Sequence, residues 1–373
     1  MNLRPSCVGA IALSLAACSA ASPRYSIESP PRLSPEHSDS HPETLPDPTV
    51  TEKVSLHGIL AYADKNAPAL LVARAGLARG EAALAGARPI LPSDPTLRLR
   101  MGPRIGAGGT GLDVSLGLRP ELEISGARRL RIEAAERIVD VQNMGLQEIR
   151  WLVHHRVHAL FHQALVARER AIAAAEFLKF AESLVSIAEG RLEAGDIAPL
   201  GLRVAQGELA QAKQAKVASD GAYRSAQLLL AEVAGWPTTS LPVPAGELDA
   251  PRKSPNLESL LSLADKSNPQ LRTMTTKVRA AEANRALANR EAWPKPTLGV
   301  QYNRESNPAL GLAGGAEADI VLFGVGIPIP LWRRNVAARS RTRAEVEIAR
   351  ARQKGERQAL RARVERAANE VNV

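Results

Sequence analysis

Aromatic residues are scarce in this 373-residue chain: four Trp, four Tyr and four Phe, 3% in all. Stacking platforms for nucleic acid and large apolar ligand pockets need more aromatic surface than that. Cysteine occurs only at Cys7 and Cys18, so everything beyond residue 18 is without a disulfide framework, a thiolate metal site or a Cys nucleophile. No apolar run after the N-terminus reaches 18 residues, which excludes a spanning helix there and leaves β-strands as the only way to cross a bilayer. There is no phosphate-binding glycine loop, no HExxH pattern and no cleft-like pair of carboxylates. An enzyme is not expected, and no cofactor. What the chain does have is 45% apolar residues, enough for a core, and a net charge of +9. The charge permits an anionic partner without requiring one.

The N-terminus, MNLRPSCVGAIALSLAACSAASP, has a basic residue, a short apolar run and small residues after it, the pattern of a secretory signal. Leu15-Ala16-Ala17-Cys18 resembles a bacterial lipobox, so residues 1–17 are read as a lipoprotein signal peptide and Cys18 as the lipid-attachment residue; Ser19 resembles an outer-membrane sorting signal. Residues 18–50 are rich in Pro, Ser, Glu and His and read as a disordered tether, with His37 and His41 solvated within it.

An internal repeat organises the rest. Ala63-Asp64-Lys65-Asn66-Ala67-Pro68 resembles Ala264-Asp265-Lys266-Ser267-Asn268-Pro269, and Pro95-Thr96-Leu97 recurs as Pro296-Thr297-Leu298 at the same offset. Ala-rich helices are expected over 68–87 and 269–292, each stopped by a Pro cluster. Alternating strand-like sequence starts at Thr96 and at Thr297, a Gly-rich connection follows (102–111 and 311–315), and a second strand-like run covers Leu112 to Ile124 and Asp319 to Leu331. Strands of this length fit a tilted membrane strand; the pattern alone fits a soluble hairpin equally well. From Ala127 to Ala194 no Pro interrupts, which predicts a helix of roughly 100 Å at 1.5 Å per residue. Phe177, Phe180, Leu184 and Ile187 space as a coiled-coil seam. Gly195-Asp196 and Pro199 mark a tight turn, and a second helix runs from about 198 to 234.

This order of elements, together with the duplication and the lipobox, resembles the TolC family of outer-membrane efflux proteins, and within it the outer-membrane subunits of cobalt–zinc–cadmium efflux systems. The resemblance spans about residues 51 to 373. RLEAGDIAPLGLRVAQGELAQA (191–212) resembles the tip of the family's helical hairpin, and GVGIPIPLWRRN (324–335) its second β-hairpin leading into the last long helix. It implies a mainly α fold with β: a long α-helical coiled-coil barrel domain plus transmembrane β-barrel strands, four per protomer, in a tandem duplicated TolC-like arrangement. The first repeat would occupy 51–250 and the second 251–373, truncated after the start of its long helix. It further implies a homotrimer closing one barrel in outer-membrane lipid, a periplasmic adaptor and an inner-membrane RND-type pump as partners, and passive conduction of heavy-metal cations. Arg191, Gly195, Asp196, Pro199 and Leu202 would form the adaptor-docking hairpin tip. Gly201 departs from the family, which often has an acidic residue near that place.

Two clusters compete with this reading. His154, His158 and His162 lie four apart on one stripe of a helix, with His155 beside them, a spacing that can hold a transition metal; packing beside Leu160 and Phe161 is the alternative. The segment 333–373 has 12 basic and 5 acidic residues, but no aromatic follows Trp332, so a solvated or interhelical face is expected rather than a nucleic-acid site. A periplasmic coiled-coil adaptor or structural lipoprotein, or a non-functional truncated remnant, would be the alternative functions.

Overall fold

A computed structural model describes residues 46, 53–106, 109–248, 256–306, 317–332 and 334–372. The signal, Cys18 and the tether up to residue 45 lie outside the described residues, as do the second hairpin connection at 311–315, Arg333 and the tip residues 107–108.

The chain opens with a short strand, β1 (Lys53–Val54), then α1 (Leu56–Asn66), capped by the Ser55 hydroxyl accepting from Gly58 N–H. Helix α2 (Pro68–Ala87) follows with Pro68 in its first turn, where a missing N–H costs nothing. Two 11-residue strands, β2 (Thr96–Gly106) and β3 (Gly109–Arg119), form an antiparallel hairpin. Helix α3 (Ala127–Glu193) runs 67 residues without a break, and α4 (Pro199–Ala234) returns along it. A second short strand, β4 (Val243–Pro244), pairs in parallel with β1. The series then recurs: α5 (Leu257–Ser267), α6 (Pro269–Arg290), β5 (Thr297–Ser306), β6 (Glu317–Gly326) and α7 (Val336–Asn372).

The Asn-Pro openings thus separate two helices in each half, a break that comes from Pro68 and Pro269 disfavouring helix at the residue before them. Helices α1 and α5, and the β1–β4 pair, were not expected from the sequence. The strands also differ from the expected ranges. The first hairpin connection shrinks to residues 107–108, because Gly102 and Gly106 lie within β2. The second strands begin earlier and end at Arg119 and Gly326, before Pro120 and Pro328, which have no N–H for a ladder.

Two packing regions hold the chain. The main core gathers Ile59 and Ala63 of α1, Leu70 of α2, Val157, Phe161 and Leu165 of α3, Leu230 and Ala234 of α4, and Trp236. Trp236 tilts against Tyr62, with ring centroids 4.6 Å apart, and donates its indole N–H to the Ser240 carbonyl at 2.6 Å. Gly235 makes this closure possible: its φ is +73°, and a Cβ there would stand 2.2 Å from the Asn66 carbonyl oxygen. In the second half α6 packs between α3 and α7, through buried Leu271, Thr273, Ala280 and Ala288.

The expected coiled-coil seam faces away from the α3–α4 pair. Along the far part of α3 the residues buried are Ala181 and Val185, and Ala212 is buried on α4. The expected seam residues Phe177, Phe180, Leu184 and Ile187 are exposed. Small residues bring the two helices close, so the larger ones at the neighbouring positions are left on the outside of the pair.

Candidate functional site

The two hairpins join into one antiparallel sheet of order β2-β3-β5-β6. β3 pairs with β5 through Val114–Arg304, Leu116–Tyr302 and Leu118–Val300, a register fixed by the alternation of each strand. One face carries Leu97, Leu99, Met101, Leu116, Leu118, Val300, Val321, Phe323 and Val325, every one of them exposed. In water this would be a continuous apolar patch far larger than single scattered residues. At the hairpin-side end of β5 and β6 the face turns polar, where Arg304 opposes Asp319 and the Tyr302 hydroxyl donates to Asp319 at 2.7 Å, while on β2 and β3 it stays apolar through Ile105 and Leu112. Strands of ten or eleven residues with an exposed apolar face are what a lipid-facing sheet requires.

The opposite face is polar and internally bonded on β2, β3 and β5, with Ala318, Ile320 and Leu322 of β6 at its side. The Gln301 amide donates to Asn303 (2.8 Å) and Ser115 (3.1 Å), and the Ser115 hydroxyl donates to Asn303 (2.8 Å). Arg104 donates to Asp113 at 2.8 Å and reaches across β3 to Glu305 at 2.7 Å. Gly111, opposite Arg104, makes room for Ser306, whose Oγ would stand 2.0 Å from a Cβ there. Asp113 also accepts from the Ser306 backbone N–H at 2.9 Å. Apart from Arg304, Asp319 and the Tyr302 hydroxyl at the end of β5 and β6, the charged and amide side chains of the sheet between these ends lie on this face, away from the apolar one.

The helical hairpin tip is formed at the junction of α3 and α4. Gly195 has φ +78°, and its N–H donates to the Leu192 carbonyl while the Asp196 N–H donates to the Arg191 carbonyl, closing the last carbonyls of α3. Pro199 begins α4, and Gly201, Leu202 and the Ile197 side chain form its first turn. Arg191, Asp196, Pro199 and Gly195 are exposed, and Leu202 is half-buried. The five tip residues are thus brought together in one turn.

The histidines fall apart into separate roles. His154 Nε2 donates to the Asp64 carboxylate at 2.7 Å, and Arg150 grips the same carboxylate at 2.6 and 2.9 Å. His155 stacks on Trp151, with centroids 5.6 Å apart, and His158 and His162 lie 4.7 Å apart ring to ring. Burial pushes the His158 imidazole down, with the neighbouring His162 and His155 adding to it. Among the described residues no group of three or more His, Cys, Asp or Glu is placed to hold a metal ion. Sequence spacing missed the Asp64 carboxylate because it comes from 90 residues away. Burial alone would raise the Asp64 carboxyl, but the bonds from His154 and Arg150 overcome it and hold it at about 2.

The second half repeats this device. Asp265 stands 201 residues after Asp64, and Arg357 and Arg361 stand 207 residues after Arg150 and His154. Arg361 donates to Asp265 at 2.8 Å, with Arg357 at 3.7 Å, and the Arg361 hydrogen bond lowers the Asp265 carboxyl. Part of the basic excess of α7 is therefore an interhelical face, with Arg350 pairing to Glu282 of α6 at 2.7 Å as well. Two signals were present in the sequence, the repeated Ala-Asp-Lys and the four-residue spacing of its partners.

Comparison with known proteins agrees with this architecture. The chain is 25% identical to the pyoverdine export outer membrane protein OpmQ of Pseudomonas putida over 363 residues, covering 91% of this chain and 76% of that protein. It is 25% identical to the cobalt-zinc-cadmium resistance protein CzcC of Cupriavidus metallidurans over 214 residues, 57% of this chain and 49% of that protein. The solved CmeC outer membrane channel of Campylobacter jejuni superposes with a TM-score of 0.63 at 15% identity, covering 83% of this chain and 70% of that one, a likeness of fold. Residues 60–236 and 260–373 match the outer membrane efflux protein family, and the chain belongs to that family, with the TolC-type fold.

Proposed function

We propose that this chain is one subunit of an outer-membrane exit duct, conducting small solutes passively. The carrying observation is the four-stranded sheet with an exposed apolar face, a bonded polar face and two open edges, β2 and β6. Open edges cannot stay unpaired in lipid. Three copies pairing β6 of one chain to β2 of the next close a barrel of twelve strands around the polar face. The exposed seam Phe177, Phe180, Leu184 and Ile187 on α3 supplies apolar surface for the neighbouring copies. No helix among the described residues is long and apolar enough to cross a membrane, so the sheet is the membrane element.

The remaining assignments extend the same reading. Cys18 anchors the chain by lipid, residues 18–50 tether it, 51–250 form the first repeat and 251–373 the second. The turn at Arg191, Gly195, Asp196, Pro199 and Leu202 projects into the periplasm and meets an adaptor protein, which links the duct to an inner-membrane pump. For cargo, the likeness to the cobalt-zinc-cadmium resistance protein CzcC supports heavy-metal ions, and the likeness to the pyoverdine export protein OpmQ supports a cargo of that kind instead.

Migration on SDS gels of unheated and heated outer-membrane fractions, with crosslinking, tests the assembly. A heat-modifiable trimer that resists salt extraction is expected; a monomer released by mild salt overturns the duct.

A further inference from the structure

We propose that the helix-side belt of the barrel's polar face selects for negatively charged solutes. The inference rests on the reading that this face lines the pore. The two ends of the face differ. Near the hairpin connections Arg104 is bound to two carboxylates, Asp113 and Glu305, leaving that layer net negative by one.

Toward the helices the balance reverses. Arg98 and Arg100 lie on the same face of β2, two residues apart, and both are exposed. Arg119, opposite Thr96, brings a third guanidinium to the same end. Among the described residues none of the three has a carboxylate within ion-pair distance. The one acid bridged to this end is Glu121, opposite Thr297, which accepts from the Ser93 hydroxyl. The positions of β6 on this face, from Ala318 to Gly326, are all uncharged. The belt therefore has three arginines against one carboxylate, an excess of +2 in each chain.

Residues two apart on a strand are separated by about 6.6 Å, inside the Debye length of roughly 8 Å at physiological salt. Their fields add, and low-dielectric walls focus them into the pore. Arginine stays charged at any working pH. A free divalent cation entering this belt meets repulsion on every side, whereas an anion meets guanidinium donors suited to carboxylate or phosphate oxygens. A metal taking this route would travel as an anionic complex.

The test is the reversal potential of the purified full chain in planar lipid bilayers under a KCl gradient. A potential on the anion-selective side is expected. Arg98→Gln with Arg100→Gln shifts it toward or beyond zero, while Arg98→Lys with Arg100→Lys leaves its sign unchanged, with trimer assembly checked on unheated gels for each. A cation-selective wild-type pore, or a Gln variant with an unchanged potential, overturns the inference and leaves the duct standing. Inserted trimers without conductance overturn both.

Discussion

Asp64 shows how a residue that reads as a repeat marker becomes a clasp. It lies in α1, but its partners Arg150 and His154 are on α3, so its carboxylate ties the start of the fold to the long helix. A carboxyl held at about 2 in the folded chain against an ordinary 3.8 is more acidic folded than unfolded. Its contribution is therefore fully present above pH 4 and is lost as the pH falls toward 2, and it amounts to about 2 kcal/mol. Asp64→Asn should lower the melting temperature at pH 7, and the difference between variant and wild type should shrink as thermal unfolding followed by circular dichroism is repeated at pH 4, 3 and 2. A difference that stays constant across this range would show that the clasp does not work through the carboxylate charge. Gly235 is a second single-residue control point. Alanine there combines a left-handed backbone, roughly 1–2 kcal/mol for any L-residue, with a Cβ driven against the Asn66 carbonyl. Gly235→Ala should destabilise by more than the backbone term alone, whereas Gly207→Ala, with open space around it in mid-helix α4, should be neutral or stabilising. The comparison is read in the same melts.

At the scale of elements, the helices and strands were legible where local chemistry sets them. Pro68, Pro269 and Gly195 fix helix boundaries through backbone geometry, and the observed starts of α2, α4 and α6 coincide with a proline. Strand ends were misjudged because period-2 alternation continues past Arg119 and Gly326, while the ladder within each hairpin ends there, ahead of Pro120 and Pro328. The side on which the Phe177–Ile187 stripe packs was not legible at all. Spacing shows that these residues share a face; it cannot show that Ala181, Val185 and Ala212 bring α4 in on the neighbouring one. The role of His154 was not legible for a related reason, since helix spacing is blind to a carboxylate arriving from α1. The exposure of the stripe yields a prediction that separates folding from assembly. Phe177→Glu with Phe180→Glu removes two side chains that are 47% and 57% exposed in the single chain. Helix content should be unchanged by circular dichroism, and the crosslinked trimer should be lost. Retention of the trimer would place the subunit contact elsewhere on the helices.

Across the whole molecule the two halves share a plan but not a burial. Both α1 and α5 are 11 residues long and each is capped at its start by a side-chain oxygen, Ser55 and Asn256. Each ends at a proline-led helix and each is clasped to a long helix through its aspartate, Asp64 or Asp265. Yet α1 buries Gly58, Ile59 and Ala63 beneath α3 and α4, whereas α5 buries no residue and packs chiefly on α7. Capping is alike, and α5, without the interior glycine that α1 has at Gly58, is not the weaker helix by propensity, so a less stable α5 would report its missing tertiary cover, because short helices draw most of their stability from the face they bury. Opening of α5 should therefore need far less free energy than opening of α1, which belongs to the main core with Trp236. Hydrogen exchange of the detergent-solubilised full chain measures this directly. Amides of 257–267 should exchange well before those of 56–66, and Trp236→Ala should speed exchange in α1 while leaving α5 as it was. Equal protection of the two helices would mean that α5 is covered in the assembled protein by a neighbouring surface, and a fast α1 would mean that its core contacts contribute little.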